Sequence, residues 1–204
     1  MGTELIGRVA EVVALDRLRA AAAHGAGAVV LLAGEAGIGK TAVVEEAVGR
    51  ARASGAAVLT GRADPDEGAP AFWPWLRLLE SDVEGLSPAL LALADAGETA
   101  AATRFRAIRA TIAALRSAAT ARPLVLVLED LHWADAASLT LLGALCREIE
   151  DTAILVIGTT RQAGQPDLPE AETLTLTPWD AAAVGAYLAA HGPAHGTWAA
   201  VVHR

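Results

Sequence analysis

The single lysine of this 204-residue chain lies in a glycine-rich stretch with the spacing G-x-x-x-x-G-K-T. In this spacing, backbone N–H groups surround phosphate oxygens, and the lysine ammonium acts as a point charge toward the outer phosphates. The hydroxyl that follows the lysine can bind Mg²⁺. The pattern predicts a site for a nucleoside triphosphate and Mg²⁺, formed by Gly34, Glu35, Ala36, Gly37, Ile38, Gly39, Lys40 and Thr41.

The segments on either side of this loop have the order that a phosphate-binding loop requires. Residues 28–33 are a continuous apolar run of strand length, which is typical of a strand buried on both faces of a parallel sheet. Residues 41–52 carry apolar side chains at helical spacing, and Gly55 follows them. We therefore expect a helix whose N-terminus adds its dipole to the phosphate site.

Two acidic residues, Glu129 and Asp130, directly follow a second apolar run at 123–128. Such a pair is costly to bury unless the carboxylates emerge at the edge of the sheet and meet a cation. The carboxyl ends of strands in open α/β sheets are where ligands bind. We expect one carboxylate to support Mg²⁺ and the other to orient or deprotonate an attacking water, and the residues leave open which does which.

The remaining segments alternate between strand and helix patterns. Further strands are predicted at 56–60, 153–157 and 172–177, and helices at 72–79, 88–95, 99–121, 136–149 and 180–190. Asp135 is the predicted N-cap of the helix that begins at 136, and the aromatic residues of 72–79 are expected to anchor on the core rather than form a docking surface. The pattern predicts an α/β fold with three layers and a five-stranded, mainly parallel sheet.

Polar residues follow the fourth predicted strand. Thr160 and Arg161 lie at the sheet edge where the phosphates are expected, so they are candidates to touch the γ-phosphate or the lytic water. A plain turn at this position is the alternative.

The composition disfavours several other classes of protein. The net charge of −8 argues against nucleic-acid binding by this segment, and no apolar run has the roughly 20 residues that a bilayer span needs. Cys146 cannot form an internal disulfide, so a buried thiol in a reducing, cytoplasmic compartment is expected. His191 and His195 do not predict a metal site, because Gly192 and Pro193 interrupt the helix that would align them.

Five ordered stretches together resemble a known family. They are 5–8 with Glu11 (a "GR..E" box), 34–41 (the P-loop), 128–135 (a Walker B segment with "LHWAD"), 158–161 (a sensor-1 strand end) and 174–179. In this order they are similar to the nucleotide-binding domain of STAND-class, AAA-type P-loop ATPases, as found in large LuxR-type bacterial transcriptional regulators.

The resemblance implies a set of site residues and boundaries. Arg8 is then near the base of the nucleotide, Glu129 supports Mg²⁺ together with Thr41, and Asp130 activates water beside Lys40. A P-loop NTPase domain is implied for 1–178, with a helical insertion at about 72–121. The start of a truncated helical lid is implied for 179–204.

The function implied by the resemblance is Mg²⁺-dependent ATP binding and slow ATP hydrolysis that times a regulatory switch. Two alternatives stay open: a binding module in which ATP or ADP occupancy alone sets the conformation, and an ATPase module attached to another signalling output. The expected ligands are ATP or ADP, without direct nucleic-acid or membrane contact by this segment. Self-association or a regulatory protein partner is open.

Overall fold

One sheet of five parallel strands organises the molecule. The computed structural model describes residues 5–65, 68–80, 87–96 and 101–191. The strands are β1 (Ala28–Ala33), β2 (Ala57–Arg62), β3 (Leu124–Glu129), β4 (Ile154–Thr160) and β5 (Glu172–Thr175). They lie in the order β2-β3-β4-β1-β5, and every described pair is parallel. The predicted five-stranded sheet is confirmed.

Helices cover both faces of this sheet. In the described residues they are α1 (Val9–Ala23), α2 (Lys40–Ala53), α3 (Trp73–Leu76), α4 (Ser87–Ala96), α5 (Ala101–Ala121), α6 (Ala136–Cys146) and α7 (Ala181–His191). Short 3-10 turns follow α3 at Arg77–Glu80 and β3 at Leu131–Trp133. No helix among the described residues is long and apolar enough to cross a membrane.

Two separate hydrophobic cores explain the three layers. Along β1, Val30 and Leu32 pack with α1 and α2, whereas Val29 and Leu31 pack with α3, α4, α5 and α6. Successive side chains of a strand point to opposite faces, so an unbroken apolar strand supplies both cores. The α/β/α architecture predicted from the strand and helix patterns is therefore confirmed.

The sequence patterns do not predict α1. Its buried residues include Val12 and Leu15, but Val9 and Val13 are 46% and 58% exposed. Since apolar residues occupy both faces of the helix, the segment shows no amphipathic stripe.

Several element ends differ from the sequence predictions. β4 continues to Thr160 instead of ending at 157, because its last residues pair with the end of β1, with Ala33 opposite Thr160. β2 likewise extends to Arg62, opposite Glu129 on β3. α6 ends at Cys146, three residues before the predicted end. The part of the predicted lid from 192 to 204, including His195, lies outside the described residues.

The helices between β2 and β3 are anchored on the core, as the sequence predicts. Phe72 and Trp75 are fully buried, and the Trp75 indole donates a hydrogen bond to the Ser138 carbonyl oxygen. Gly61 of β2 allows this close approach, since a Cβ placed there would lie 1.8 Å from the Pro74 carbonyl oxygen. α3 is thereby fixed beside the carboxyl end of β2.

Candidate nucleotide-binding site

A cavity of about 1030 Å³ lies at the carboxyl ends of β1, β2, β3 and β4. The strand order places β4 between β1 and β3, so the glycine-rich loop after β1 and Asp130, which follows β3, border the same space. Of the residues predicted from the sequence, seven line it: Ala36, Gly37, Gly39, Lys40, Thr41, Asp130 and Arg161.

The loop has backbone geometry that favours glycine at two positions. Gly37 has φ of 75° and Gly39 has φ of 102°, in the left-handed region that other residues rarely adopt. Gly39 is also the N-cap of α2 and has no side chain to accept hydrogen bonds from the first turn. The N–H groups at the start of α2 are therefore available to an anion.

Lys40 is held by the loop itself. Its ammonium donates hydrogen bonds to the carbonyl oxygens of Gly34 (2.7 Å) and Glu35 (2.9 Å). Burial lowers the pKa of Lys40, Asp130 opposes this shift, and Arg161 adds to it. A phosphate at this position would compete with the two carbonyls and would favour the charged ammonium.

Asp130 lines the cavity together with the loop. Its backbone is left-handed, with φ of 57°, and its N–H donates to the Thr159 hydroxyl (2.9 Å). Its Oδ2 accepts a hydrogen bond from Arg62 Nε (2.9 Å) and forms an ion pair with Arg62 Nη2 at 2.7 Å. The carboxylate is therefore paired with a cation from the neighbouring strand.

Glu129 is the last residue of β3 and is half-buried, outside the cavity lining. Burial raises its pKa, Arg62 opposes the shift, and the nearby carboxylates of Asp130 and Glu45 raise it further. A cation close to this carboxylate would offset both effects.

The Thr41 hydroxyl and the Glu129 carboxylate are donors of the type that Mg²⁺ takes together with nucleotide phosphates. Thr41 lines the cavity at the start of α2, and Glu129 ends β3 outside the lining. Among the described residues, no three His, Cys, Asp or Glu side chains form a metal-binding group by themselves. Mg²⁺ usually takes only one or two carboxylates and completes its shell with phosphate oxygens and water, so Mg²⁺ held with a nucleotide needs no such group.

Arg8 lies behind the loop, outside the cavity lining. Its Nη2 donates hydrogen bonds to the carbonyl oxygens of Ile38 (2.8 Å) and Thr177 (2.9 Å), and its Nη1 contacts Glu11 (3.2 Å). The residue is 4% exposed. Arg8, which the sequence predicts to contact the nucleotide, therefore contacts two backbone carbonyl oxygens in the structure.

Thr160 and Arg161 differ in position. Thr160 is fully buried and its hydroxyl donates to the Arg161 carbonyl oxygen (3.1 Å), so it lies outside the cavity. Arg161 lines the cavity, and its guanidinium lies 5.8 Å from the centre of a Trp133 ring. Gly34, Glu35 and Ile38 are also absent from the lining, and their carbonyl oxygens accept hydrogen bonds from Lys40 and Arg8.

Ten further residues line the cavity and were not predicted as site residues: Ala42, Glu45, Arg62, Ala63, Asp64, Pro65, Trp73, Arg77, His132 and Trp133. Arg62 was detectable in principle, because it ends a strand beside β3, but the predicted strand stopped two residues earlier. Trp73 was assigned to the core, yet it is only partly buried and Arg77 lies 5.6 Å over its ring.

Comparisons with known proteins agree with this geometry. The profile of the AAA ATPase domain family matches residues 4–157. An uncharacterised protein of Rhizobium meliloti (strain 1021) is 28% identical over 230 aligned positions, which cover 96% of this chain and 22% of that protein. The chain thus spans about a fifth of the length of the curated relative it matches.

Three solved structures share the fold. The Drosophila ORC bound to DNA has a TM-score of 0.58 at 18% identity, covering 95% of this chain and 48% of that one. A STAND protein with a tetratricopeptide repeat sensor from Pyrococcus horikoshii has a TM-score of 0.55 at 18% identity, with 92% and 27% covered. A RuvB mutant of Thermotoga maritima has a TM-score of 0.51 at 17% identity, with 91% and 51% covered.

At these identities the three structures establish the fold alone. The family profile goes further, because it spans most of the chain and includes the phosphate-binding loop and the acids that end β3. The protein therefore belongs to the AAA ATPase domain family.

Proposed function

We propose that this domain binds ATP with Mg²⁺ and hydrolyses it slowly, as the switch of a signal-transducing regulator. The observation that carries the proposal is that Lys40 and Asp130 line one cavity. A loop with free helix N-terminal N–H groups, a lysine and a carboxylate lining the same cavity is suited to phosphoryl transfer to water.

Each group has a separate role in the proposed complex. Lys40 and the loop N–H groups neutralise the phosphates, and Arg161, which lines the same cavity, is proposed to contact the terminal phosphate. Thr41 and Glu129 hold Mg²⁺, which withdraws charge from the phosphate oxygens when bound. Asp130 accepts a hydrogen bond from the lytic water and orients it for attack.

The hydrogen-bond partners of Lys40 and Asp130 support slow turnover. Lys40 is bonded to two loop carbonyls, and the Asp130 carboxylate is paired with Arg62. Both groups must exchange partners before they act on the substrate, and such rearrangements commonly limit turnover. The Arg62 pair also favours the second candidate, a nucleotide-sensing module with little hydrolysis.

The biological context is proposed from the ordered motifs. The "LHWAD" segment at 131–135 and the "GR..E" box support a domain of a LuxR-type transcriptional regulator, with an ATPase module of another signalling protein as the alternative. The net charge of −8 supports the absence of direct nucleic-acid binding by this segment.

Binding and turnover measured on the same protein test the proposal. We expect Mg·ATP and Mg·ADP to bind by calorimetry, with slow phosphate release in a malachite-green assay. The Asp130→Asn variant should keep ATP binding and lose phosphate release, because the amide is a poorer acceptor for the water proton. Binding without release in the wild type would favour the sensing module. Release that persists in Asp130→Asn would contradict the assigned role.

A further inference from the structure

The Arg8 guanidinium joins the phosphate-binding loop to the segment that leads into α7. A single nitrogen, Nη2, donates to the carbonyl oxygens of Ile38 and Thr177, which are far apart in the chain. Because the guanidinium is planar and rigid, its two N–H bonds fix the distance and the angle between these carbonyls. The Arg8 side chain is 5% exposed, so water has little access to replace it.

A second contact links the same two segments independently. Leu176 donates its N–H to the Ala33 carbonyl oxygen (2.8 Å), and its own carbonyl oxygen would lie 3.1 Å from a Cβ at Gly34. The loop therefore touches the segment after β5 at both of its ends, at Gly34 and at Ile38. A backbone change in the loop must move residues 176 and 177 or break these contacts.

Nucleotide binding is expected to produce such a change in the loop. Lys40 donates hydrogen bonds to the carbonyl oxygens of Gly34 and Glu35. When phosphate oxygens take up the ammonium, these carbonyls lose their partner and the loop readjusts. This step rests on the proposed function.

Trp179, which follows Thr177, forms an aromatic pair with Tyr187 of α7, and the environment of its indole depends on where the neighbouring segments lie. The Trp179 indole lies over Gly7, where a Cβ would be 2.9 Å from its Nε1, and its ring centre is 5.2 Å from that of Tyr187 on α7. Trp179 thus packs on the residue that precedes Arg8. Movement of Arg8 relative to the loop changes the surroundings of this indole.

From these contacts we infer that Arg8 is a positioning residue that couples nucleotide occupancy of the loop to the segment 176–179 and the start of α7. It acts through the Ile38 and Thr177 carbonyls and does not touch the nucleotide. The expected result is a nucleotide-dependent change at Trp179 that requires the Arg8 side chain.

Fluorine NMR on the full chain labelled with 5-fluorotryptophan measures this coupling. The chain has five tryptophans, and Trp179→Phe and Trp133→Phe variants assign the two informative signals. Trp133 lines the cavity and serves as the internal control for occupancy. In the wild type, saturating Mg²⁺ with the β,γ-imido analogue of ATP should shift both signals.

Two Arg8 variants and one control separate coupling from folding. In Arg8→Ala the Trp133 signal should still shift at saturation, whereas the Trp179 shift should fall to less than about a third. Arg8→Lys should give an intermediate Trp179 shift, because an ammonium cannot hold both carbonyls in the geometry of the fork. Arg50→Ala, which removes an exposed arginine of α2 paired with Glu46, should behave as wild type.

Three outcomes would overturn the inference. A wild-type Trp179 signal that stays in place while Trp133 shifts means that the segment is not coupled. An unchanged Trp179 shift in Arg8→Ala or Arg8→Lys means that Arg8 is not the coupling residue. If calorimetry detects no nucleotide binding to the wild type, the proposed function fails and the inference fails with it. If Arg8→Ala does not fold, the wild-type and Arg8→Lys results decide.

Discussion

Replacement of Gly61 by alanine should strongly destabilise the domain. The added Cβ would lie 1.8 Å from the Pro74 carbonyl oxygen and 2.9 Å from the carbonyl carbon, whereas real Cβ contacts are not shorter than 3.0 Å. Since the obstacle is backbone, α3 must move away from β2 by roughly 1 Å or more, and interiors packed at crystal density resist such shifts. Phe72 and Trp75, both fully buried, would move with it.

The expected magnitude follows from this geometry. Overpacking of a core costs about 1–3 kcal/mol, and a rigid backbone contact places this variant near about 3 kcal/mol. For a domain of this size, 1 kcal/mol changes Tm by about 2–4 °C, so Gly61→Ala should melt about 6–12 °C below wild type. Because Trp73 and Arg77 line the cavity, the affinity of the Gly61→Ala protein for nucleotide should fall as well.

Thermal unfolding followed by circular dichroism, with urea unfolding as a second measurement, provides the test. Gly49→Ala is the matched control, because Gly49 is exposed inside α2 and a Cβ there meets nothing within 4 Å. That variant should gain about 0.5–1 kcal/mol, or roughly 1–4 °C, from the better helix propensity of alanine. A Gly61→Ala protein that melts within 2 °C of wild type would refute the packing of α3 against β2.

Three further predictions concern single side chains. Glu129→Gln should raise the Mg²⁺ concentration needed for half-maximal ATP binding, and an unchanged Mg²⁺ titration would remove Glu129 from the metal site. Arg62→Ala should change the free energy of unfolding by less than about 1 kcal/mol, because the Arg62 side chain is 68% exposed. The same variant should raise the rate of phosphate release, because it frees the Asp130 carboxylate. A lower or equal rate of release would contradict this role of Arg62. Burial raises the pKa of Cys146 to about 11. Because the thiolate is the reactive form, a disulfide reagent at pH 8 should modify Cys146 about a hundredfold more slowly in the native protein than in urea. Equal rates would place the thiol at the surface.

Local patterns in the sequence predict the part of the site that is formed by β1, the glycine-rich loop and α2, which follow one another in the chain. β1 has the predicted bounds, and α2 begins one residue before its predicted start. The N-cap role of Asp135 is confirmed by its carboxylate, which accepts a hydrogen bond from the Ser138 N–H at 2.9 Å. These features depend on neighbours in the chain, and neighbours are visible in a sequence.

Features that depend on contacts between distant segments were missed or misplaced. Arg62 faces Asp130 only because β2 and β3 pair in register, and a single sequence does not give the end of a strand. The segment with Arg8 was recognisable, but its contacts with Ile38 and Thr177 form only when the loop meets the segment after β5. Thr160 follows an apolar run as expected, yet strand pairing extends to it and the residue is buried.

Calorimetric titration of Mg·ATP into the wild type and into Lys40→Ala decides whether the glycine-rich loop is a nucleotide site. Lys40 is the only lysine of the chain, so no neighbouring ammonium can replace it. Charge-assisted hydrogen bonds contribute about 1.5–3 kcal/mol each, and loss of those to two phosphates should weaken binding by at least about a hundredfold. Melting curves of the two ligand-free proteins serve as the control for folding. We expect the wild type to bind Mg·ATP, and a folded Lys40→Ala protein to bind it at least about a hundredfold more weakly or not at all. Equal affinity in both proteins, or no binding to the wild type, would contradict the assignment of the loop as a nucleotide site.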